Sequence, residues 1–223
     1  MSEQLQSDFD KIVKTSKLSN EEIQFKKNFL DNFKKRGFPN RKQEDWKFLD
    51  ISQIIKKNIS NLSFFNDYSQ SNKIDPSIFV DGLEHNKIIF INGRIEKIDF
   101  NFEDQNKIEI IDETKKDISF DYENSLIDLN SAFTDKVFKI LIKKNYSLKK
   151  PLIIYHSTND NIKSTNINLR LDFELGENSC LKLIDYFANN TTKNFINIFY
   201  NFNLEKNSIL KNYKIDKFIN NDL

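Results

Sequence analysis

Hydrophobic positions follow two rhythms along the chain, and the change between them falls near residue 86. In the first 60 residues apolar side chains recur at helical spacing. Phe9, Ile12 and Val13 define a short first segment. The second opens with Ser19 and Glu22, an S-x-x-E capping-box pattern, and continues through Phe25, Phe29 and Phe33, with Ile23 and Leu30 beside them. Lys34, Lys35 and Arg36 fall in its last turn, where positive charge suits the helix dipole. Gly37 reads as the stop, and Pro39 bars continuation. Beyond it the single tryptophan, Trp46, reads as an anchor that docks this turn onto the core. Residues 60–85 read as a loop or a poorly ordered linker.

From residue 86 the period becomes that of strands. Lys87–Ile91, Asn92-Gly93 and Arg94–Phe100 form a hairpin pattern, with Asn-Gly supplying the left-handed residues of a type I′ turn. Further strands are predicted at Val137–Ile142, Pro151–Ser157, Ile167–Leu175, Cys180–Phe187, Phe195–Leu204 and Ile209–Ile215. Ile167, Leu169, Leu171, Phe173 and Leu175 alternate with Asn168, Arg170, Asp172 and Glu174, which predicts one buried face and one polar face. Ile196, Ile198, Tyr200, Phe202 and Leu204 alternate in the same way, with Phe199 pointing outward. No helical period of useful length is read between these strands, which argues against a βαβ fold.

Three segments repeat: Ile142-Lys-Lys-Asn145-Tyr-Ser-Leu148-Lys149, Leu175-Gly-Glu-Asn178-Ser-Cys-Leu181-Lys182 and Leu204-Glu-Lys-Asn207-Ser-Ile-Leu210-Lys211. Their asparagines are 33 and 29 residues apart. Asparagine tolerates the left-handed conformation that a tight turn between strands demands. Strands at this period without helices predict a β-helix, in which each coil stacks on the one before. The alternative is a β-sandwich. The domains expected are a helical N-terminal region with its linker over 1–85 and a β-helix core over 86–223.

Composition narrows the function classes. Thirty-four basic and 33 acidic residues leave a formal charge of +1, so no bulk attraction to nucleic acid or an anionic membrane is expected. Abundant Ile, Lys, Asn and Phe fit A/T-rich codons, so motifs made of Lys and Asn alone carry little information. The one cysteine, Cys180, excludes an internal disulfide framework and fits a reducing compartment. The N-terminus reads as neither secretory signal nor transit peptide, no stretch reaches membrane-span length, and the expected location is cytoplasmic.

Candidate chemistry is sparse. Cys180 has no Cys or His close in sequence and reads as a packed core residue. His85, in a polar turn, and His156, at a strand end, lack metal-ligand spacing and read as solvated or capping. Ser157 and Asp160 lie near His156, but no nucleophile turn frames them. Lys149-Lys150 reads as a solvated turn and Lys34–Arg36 as a helix terminus. With four glycines in the chain, phosphate-cradling loops are nearly excluded. No catalytic, cofactor-binding or metal site is assigned.

Five segments carry a resemblance. Arg41 to Asp50 looks like R-x-x-E-x-W-K-Y-T-x-L, with Phe48 in the Tyr place. Phe90-Ile91-Asn92-Gly93-Arg94 resembles F-V-N/D-G-R, and Leu129 to Asp135 resembles L-N-x-A-F-x-x-D. Lys144 to Leu152 resembles K-G-x-x-L-x-x-P-I, and Arg170 with Leu175 to Leu181 resembles R…L-G-E-G-A-x-L. In these segments, taken in order, the chain resembles the SufB/SufD family, scaffold subunits of the Suf machinery that assembles iron–sulfur clusters. Lys136 and Asn145 depart from it, standing where the family has glycine.

The resemblance implies an N-terminal helical region, a right-handed parallel β-helix and a C-terminal helical region, in chains roughly twice this length on the scale of domain sizes. This chain is therefore expected to be an incomplete β-helix, truncated at its C-terminus, without the SufC contact region. The implied role is a non-catalytic scaffold with SufB-like and SufC-like partners. The chain itself would bind no cofactor, the iron–sulfur cluster and ATP being handled by the complex. The competing reading is a fragment of a β-helix carbohydrate-active enzyme, which needs clustered carboxylates on one coil face. A hexapeptide-repeat acyltransferase needs a six-residue apolar period with frequent glycine, which is not seen. An open last coil predicts poor solubility of the isolated chain. Size-exclusion chromatography with calorimetry is expected to show self-association, and a monodisperse, cooperatively melting monomer would refute it.

Overall fold

The structure is a computed structural model and describes residues 2–59, 61–66, 74–113, 123–159, 162–188 and 193–217. Three helices open the chain: α1 (Ser2–Thr15), α2 (Asn20–Arg36) and α3 (Ile51–Asn58). Both arms of the expected capping box start α2. The Ser19 hydroxyl accepts from Glu22 N at 3.3 Å, and the Glu22 carboxylate accepts from Ser19 N at 2.7 Å. Gly37 ends it at φ +69°, its N–H donating to the Phe33 carbonyl. The apolar stripe buries Leu30 and Phe33 completely, while Ile23 and Phe25 stay half-exposed.

A fourth helix, α4 (Ser125–Phe133), completes this core and corrects the expectation that no helix interrupts the strands. The Asn124 side chain accepts from Leu126 N and Ile127 N to cap it. Its Leu129, Ala132 and Phe133 pack with Leu5, Phe9, Leu30, Phe33, Phe38 and Ile55 in one cluster. The helical unit thus draws on residues beyond 85. The interval read as a loop also holds structure, with Ser63 bridging Thr165 and a 3₁₀ turn at Pro76–Ile78. Positions 67–73 lie outside the described residues.

Nine strands follow: β1 (Asn86–Ile91), β2 (Arg94–Asp99), β3 (Ile108–Glu113), β4 (Val137–Ile142), β5 (Leu152–Ser157), β6 (Asn166–Leu175), β7 (Cys180–Phe187), β8 (Phe195–Leu204) and β9 (Ile209–Asp216). All but β3 match an expected strand to within one residue. Asn92 and Gly93 take φ of +54° and +83° in the β1–β2 hairpin. The strands form two sheets, ordered β2-β1-β5-β7-β9 and β3-β4-β6-β8. From β4 onward the chain alternates between them. Among the described residues five strand pairs are parallel, and only β1–β2 and β3–β4 are antiparallel. The fold is therefore mixed, a helical region joined to two parallel-rich sheets. Both sheets line one core, in which Ile88, Phe90, Leu152, Ile154, Leu181 and Leu183 meet Ile140, Leu169, Leu171, Phe173 and Leu175.

The polar face of β6 is largely shielded from solvent. Asn168, Arg170 and Asp172 are buried. Asn130 of α4 donates to the carbonyls of Leu169 at 3.0 Å and Asn197 at 2.8 Å, which seats the helix on β6 and β8. Arg170 and Asp172 pair through two 2.8 Å bonds, from Nε and Nη2.

The repeated asparagines do what their turns require. Asn145, Asn178 and Asn207 have φ of +55°, +56° and +57°. They also stack, Asn178 Nδ2 donating to Asn145 Oδ1 at 2.8 Å and Asn207 Nδ2 to Asn178 Oδ1 at 3.1 Å. Beside them a Cβ on Gly176 would lie 2.6 Å from Lys144 N and 2.9 Å from its Cα, and backbone cannot yield as a flexible side chain can. Gly176→Ala is expected to lower unfolding free energy in urea by about 1–3 kcal/mol.

Candidate interaction surface

Among the described residues, β8 pairs only with β6 and β9 only with β7, so both sheets end in a strand with one unpaired edge. Exposure changes abruptly at this end. Leu175 is 1% exposed, while Leu204, stacked on it in register, is 44% exposed. Ile209, Tyr213 and Ile215 of β9 are 52, 56 and 43% exposed. Inward-facing positions also change character, because the row Ile88–Ile154 continues as Asp185 and then Lys214. An edge of free backbone donors and acceptors beside exposed apolar side chains can take up a further strand.

Just inside that end lies a polar cluster. His156 Nε2 is 3.1 Å from Asp185 Oδ1 and 3.0 Å from the Tyr200 hydroxyl, and that hydroxyl also donates to Asp185. Phe90 and Phe187 stack on the imidazole with centroids at 5.7 and 4.7 Å. His156 is buried, contrary to the solvated or capping role expected of it. It is in phase with Leu152 and Ile154, and so faces the core. Asp185 and Tyr200 are likewise in phase with the inward rows of β7 and β8. Parity was readable in the sequence, but the register that joins the three strands was not. Burial first, and the neighbouring Asp185 charge second, push the Tyr200 hydroxyl far above the usual tyrosine range.

The other candidates are placed as follows. His85 is buried rather than solvated and bonds Leu83 O and the Tyr155 hydroxyl. Cys180 is half-buried, on the strand face opposite Leu181 and Leu183, and not a core residue. Ser157 ends β5, and Asp160 lies outside the described residues. Lys149 and Lys150 are ion-paired, to Asp104 at 2.5 Å and Glu84 at 2.6 Å. Lys34 bonds Gln6, and Arg36 reaches Asp128 at 2.7 Å, so this helix terminus also ties α2 to α1 and α4. Phe199 lies half-buried under the Arg170 guanidinium, 5.4 Å away. Trp46 is half-buried and joins none of the core clusters, and Phe48 beside it is 86% exposed. The expected anchor is thus not observed.

Among the described residues no three His, Cys, Asp or Glu side chains are placed to hold a metal ion, and no helix is long and apolar enough to cross a membrane. Two cavities of about 350 and 440 Å³ share Arg94, Asp135, Lys136 and Asn168 in their linings. Comparison with known family models and with curated proteins finds no match.

The raised Tyr200 pKa has a defined consequence for stability. The folded state keeps the phenol protonated where the unfolded chain loses its proton, so the contribution is complete below about pH 10 and falls as pH rises above it. Urea titrations at increasing pH are expected to show this alkaline loss, with a shallower slope in Tyr200→Phe. An unchanged slope in the variant would remove Tyr200 as its source.

Proposed function

We propose that this chain is a non-catalytic scaffold subunit of SufD type in an iron–sulfur cluster assembly complex, built on a right-handed parallel β-helix. The observation that carries the reading is the uncovered end of the two sheets, where β8 and β9 each leave one edge unpaired beside exposed Leu204, Ile209, Tyr213 and Ile215. The alternation of strands between sheets and the left-handed asparagine corners support a stack of coils. The family resemblance supplies the partners: a SufB-like subunit with which the cluster forms, and a SufC-like ATPase. The chain's own contribution is rigid spacing and strand pairing, in the cytoplasm and without a resident cofactor. The carbohydrate-active alternative draws less support. The carboxylates of Asp172 and Glu174, which share a face of β6, are held by Arg170 and Lys139 respectively.

Affinity purification of the tagged chain, co-expressed with its operon neighbours, is expected to recover a SufB-like subunit together with the ATPase. Leu204→Asp and Ile209→Asp alter exposed positions. Each is expected to reduce recovery about tenfold, the equivalent of losing one partly buried aliphatic contact. Recovery of neither partner would overturn the assignment.

A further inference from the structure

The segment from Ile74 to His85 lies along the outer face of the five-stranded sheet, the face turned away from the main core. Ile78 is buried there, and Ile74, Phe79 and Val80 pack with Ile89, Ile91, Ile153, Tyr155 and Tyr186. Asp75 caps the 3₁₀ turn by accepting from Ser77 N at 2.9 Å. Gly82 turns the chain at φ +73°, a conformation suited to glycine.

Its closure converges on one buried hydroxyl. Val80 N–H donates to the Tyr155 oxygen at 3.2 Å, and His85 Nε2 lies 2.7 Å from the same oxygen. His85 Nδ1 lies 2.6 Å from the Leu83 carbonyl, which can only accept. These partners fix the tautomer. Nδ1 carries the ring proton and donates to Leu83, and Nε2 accepts the Tyr155 hydroxyl proton. All three donors then have an acceptor, within a site where Tyr155 is 0% and His85 4% exposed.

We infer that residues 74–85 form a pH-sensitive strap, held closed by neutral His85 and released when its imidazole takes up a second proton. That proton would go to Nε2 and face the hydroxyl proton of Tyr155, which then has to give up its acceptor. It would also place a buried positive charge between elements that offer little compensation. From the strand β1, Lys87 opposes the charge, and from β2, Asp99 favours it. On the strap itself, Glu84 is committed to Lys150, while Asp81 acts on Tyr155. The groups contributed by β5 and β7 are the phenols of Tyr155 and Tyr186.

Burial, ahead of the opposing bond to Leu83, holds the imidazole below its ordinary pKa of 6.5. A histidine shifted downward contributes its full stabilisation above the unfolded value and loses it as pH falls. The strap is therefore closed near neutrality and opens on acidification. Opening bares the apolar outer face around Ile89, Ile153 and Tyr155.

Hydrogen exchange of the full chain, read by mass spectrometry at about pH 7.5 and about pH 5.5 and corrected for intrinsic rates, tests this. Peptides spanning 74–85 are expected to exchange about tenfold faster, relative to the β5 and β7 peptides, at the lower pH. In His85→Gln, whose amide oxygen can accept from Tyr155 but does not titrate, that difference should vanish. In Tyr155→Phe the strap should exchange fast at both pH values. Strap protection in the unmodified chain that does not change with pH overturns the proposal, and so does the same pH dependence in His85→Gln.

Discussion

The constraint on which this architecture rests is the return of the chain, after each strand spent in the other sheet, to pair in parallel with the strand it formed two elements earlier. Parallel pairing allows no two-residue hairpin to do this. Each corner must reverse the chain within a few residues and still present its backbone to the next corner. Asn145, Asn178 and Asn207 meet both demands. Their positive φ makes the turn, and their side-chain amides form a ladder from one coil to the next. Backbone bonds run alongside, from Asn145 N to Glu177 O and from Asn178 N to Lys206 O. Glycine would give the same φ but no ladder, so asparagine here serves both the turn and the stacking. Gly176 shows the other limit, a point where the coils approach too closely for any Cβ.

Once the corners fix the stack, the two faces of each sheet acquire different tasks. The inward rows build the main core. Outward-facing Asn168 of β6 and Asn197 of β8 are polar yet buried where α4 lies on these strands, and Asn130 satisfies two strand carbonyls there. Asn166, Asn168 and Asn197 join side chain to side chain beneath it. A buried polar layer of this kind is acceptable only when its members are paired, and these bonds orient the helical region on the strands as apolar contact alone would not. On the other sheet the corresponding outer face is apolar and is covered by the strap through Ile78 and Phe79.

This division explains what was legible in the sequence. The strands from β4 on were located because two-residue alternation with branched and aromatic side chains marks strands strongly. The corners were located because only a few residue types tolerate left-handed backbone. By contrast, α4 spans nine residues, too few turns to establish a period, and the charges of β3, at Glu109, Asp112 and Glu113, break the two-residue alternation that marks a strand. Burial of the polar face of β6 could not be read, because polar residues under a helix and polar residues under water look alike in one dimension. The two histidines were misjudged for a related reason. Their partners lie 70 and 29 positions away, and only the register of the strands brings them together.

The open end has a composition that bears on its proposed role. If the last coil were a core surface awaiting permanent cover, its inward row should be as apolar as those beneath. Instead Leu152 and Leu183 are followed by Asn212, and Ile154 by Asp185 and then Lys214. The Asp185 carboxylate is bound by His156 and Tyr200, and the Lys214 ammonium sits 4.6 Å over the Phe187 ring. Polar groups therefore enter the stack within the last two coils and find partners there. An apolar rim around a partly polar centre costs less in water than a bare core and still leaves two strand edges to pair. Surfaces that are exposed for part of their lifetime have this mixed character, whereas obligate ones resemble a core cut in half. The exposed rim is thus mixed in character, with apolar Leu204, Ile209 and Ile215 beside polar groups that are already paired.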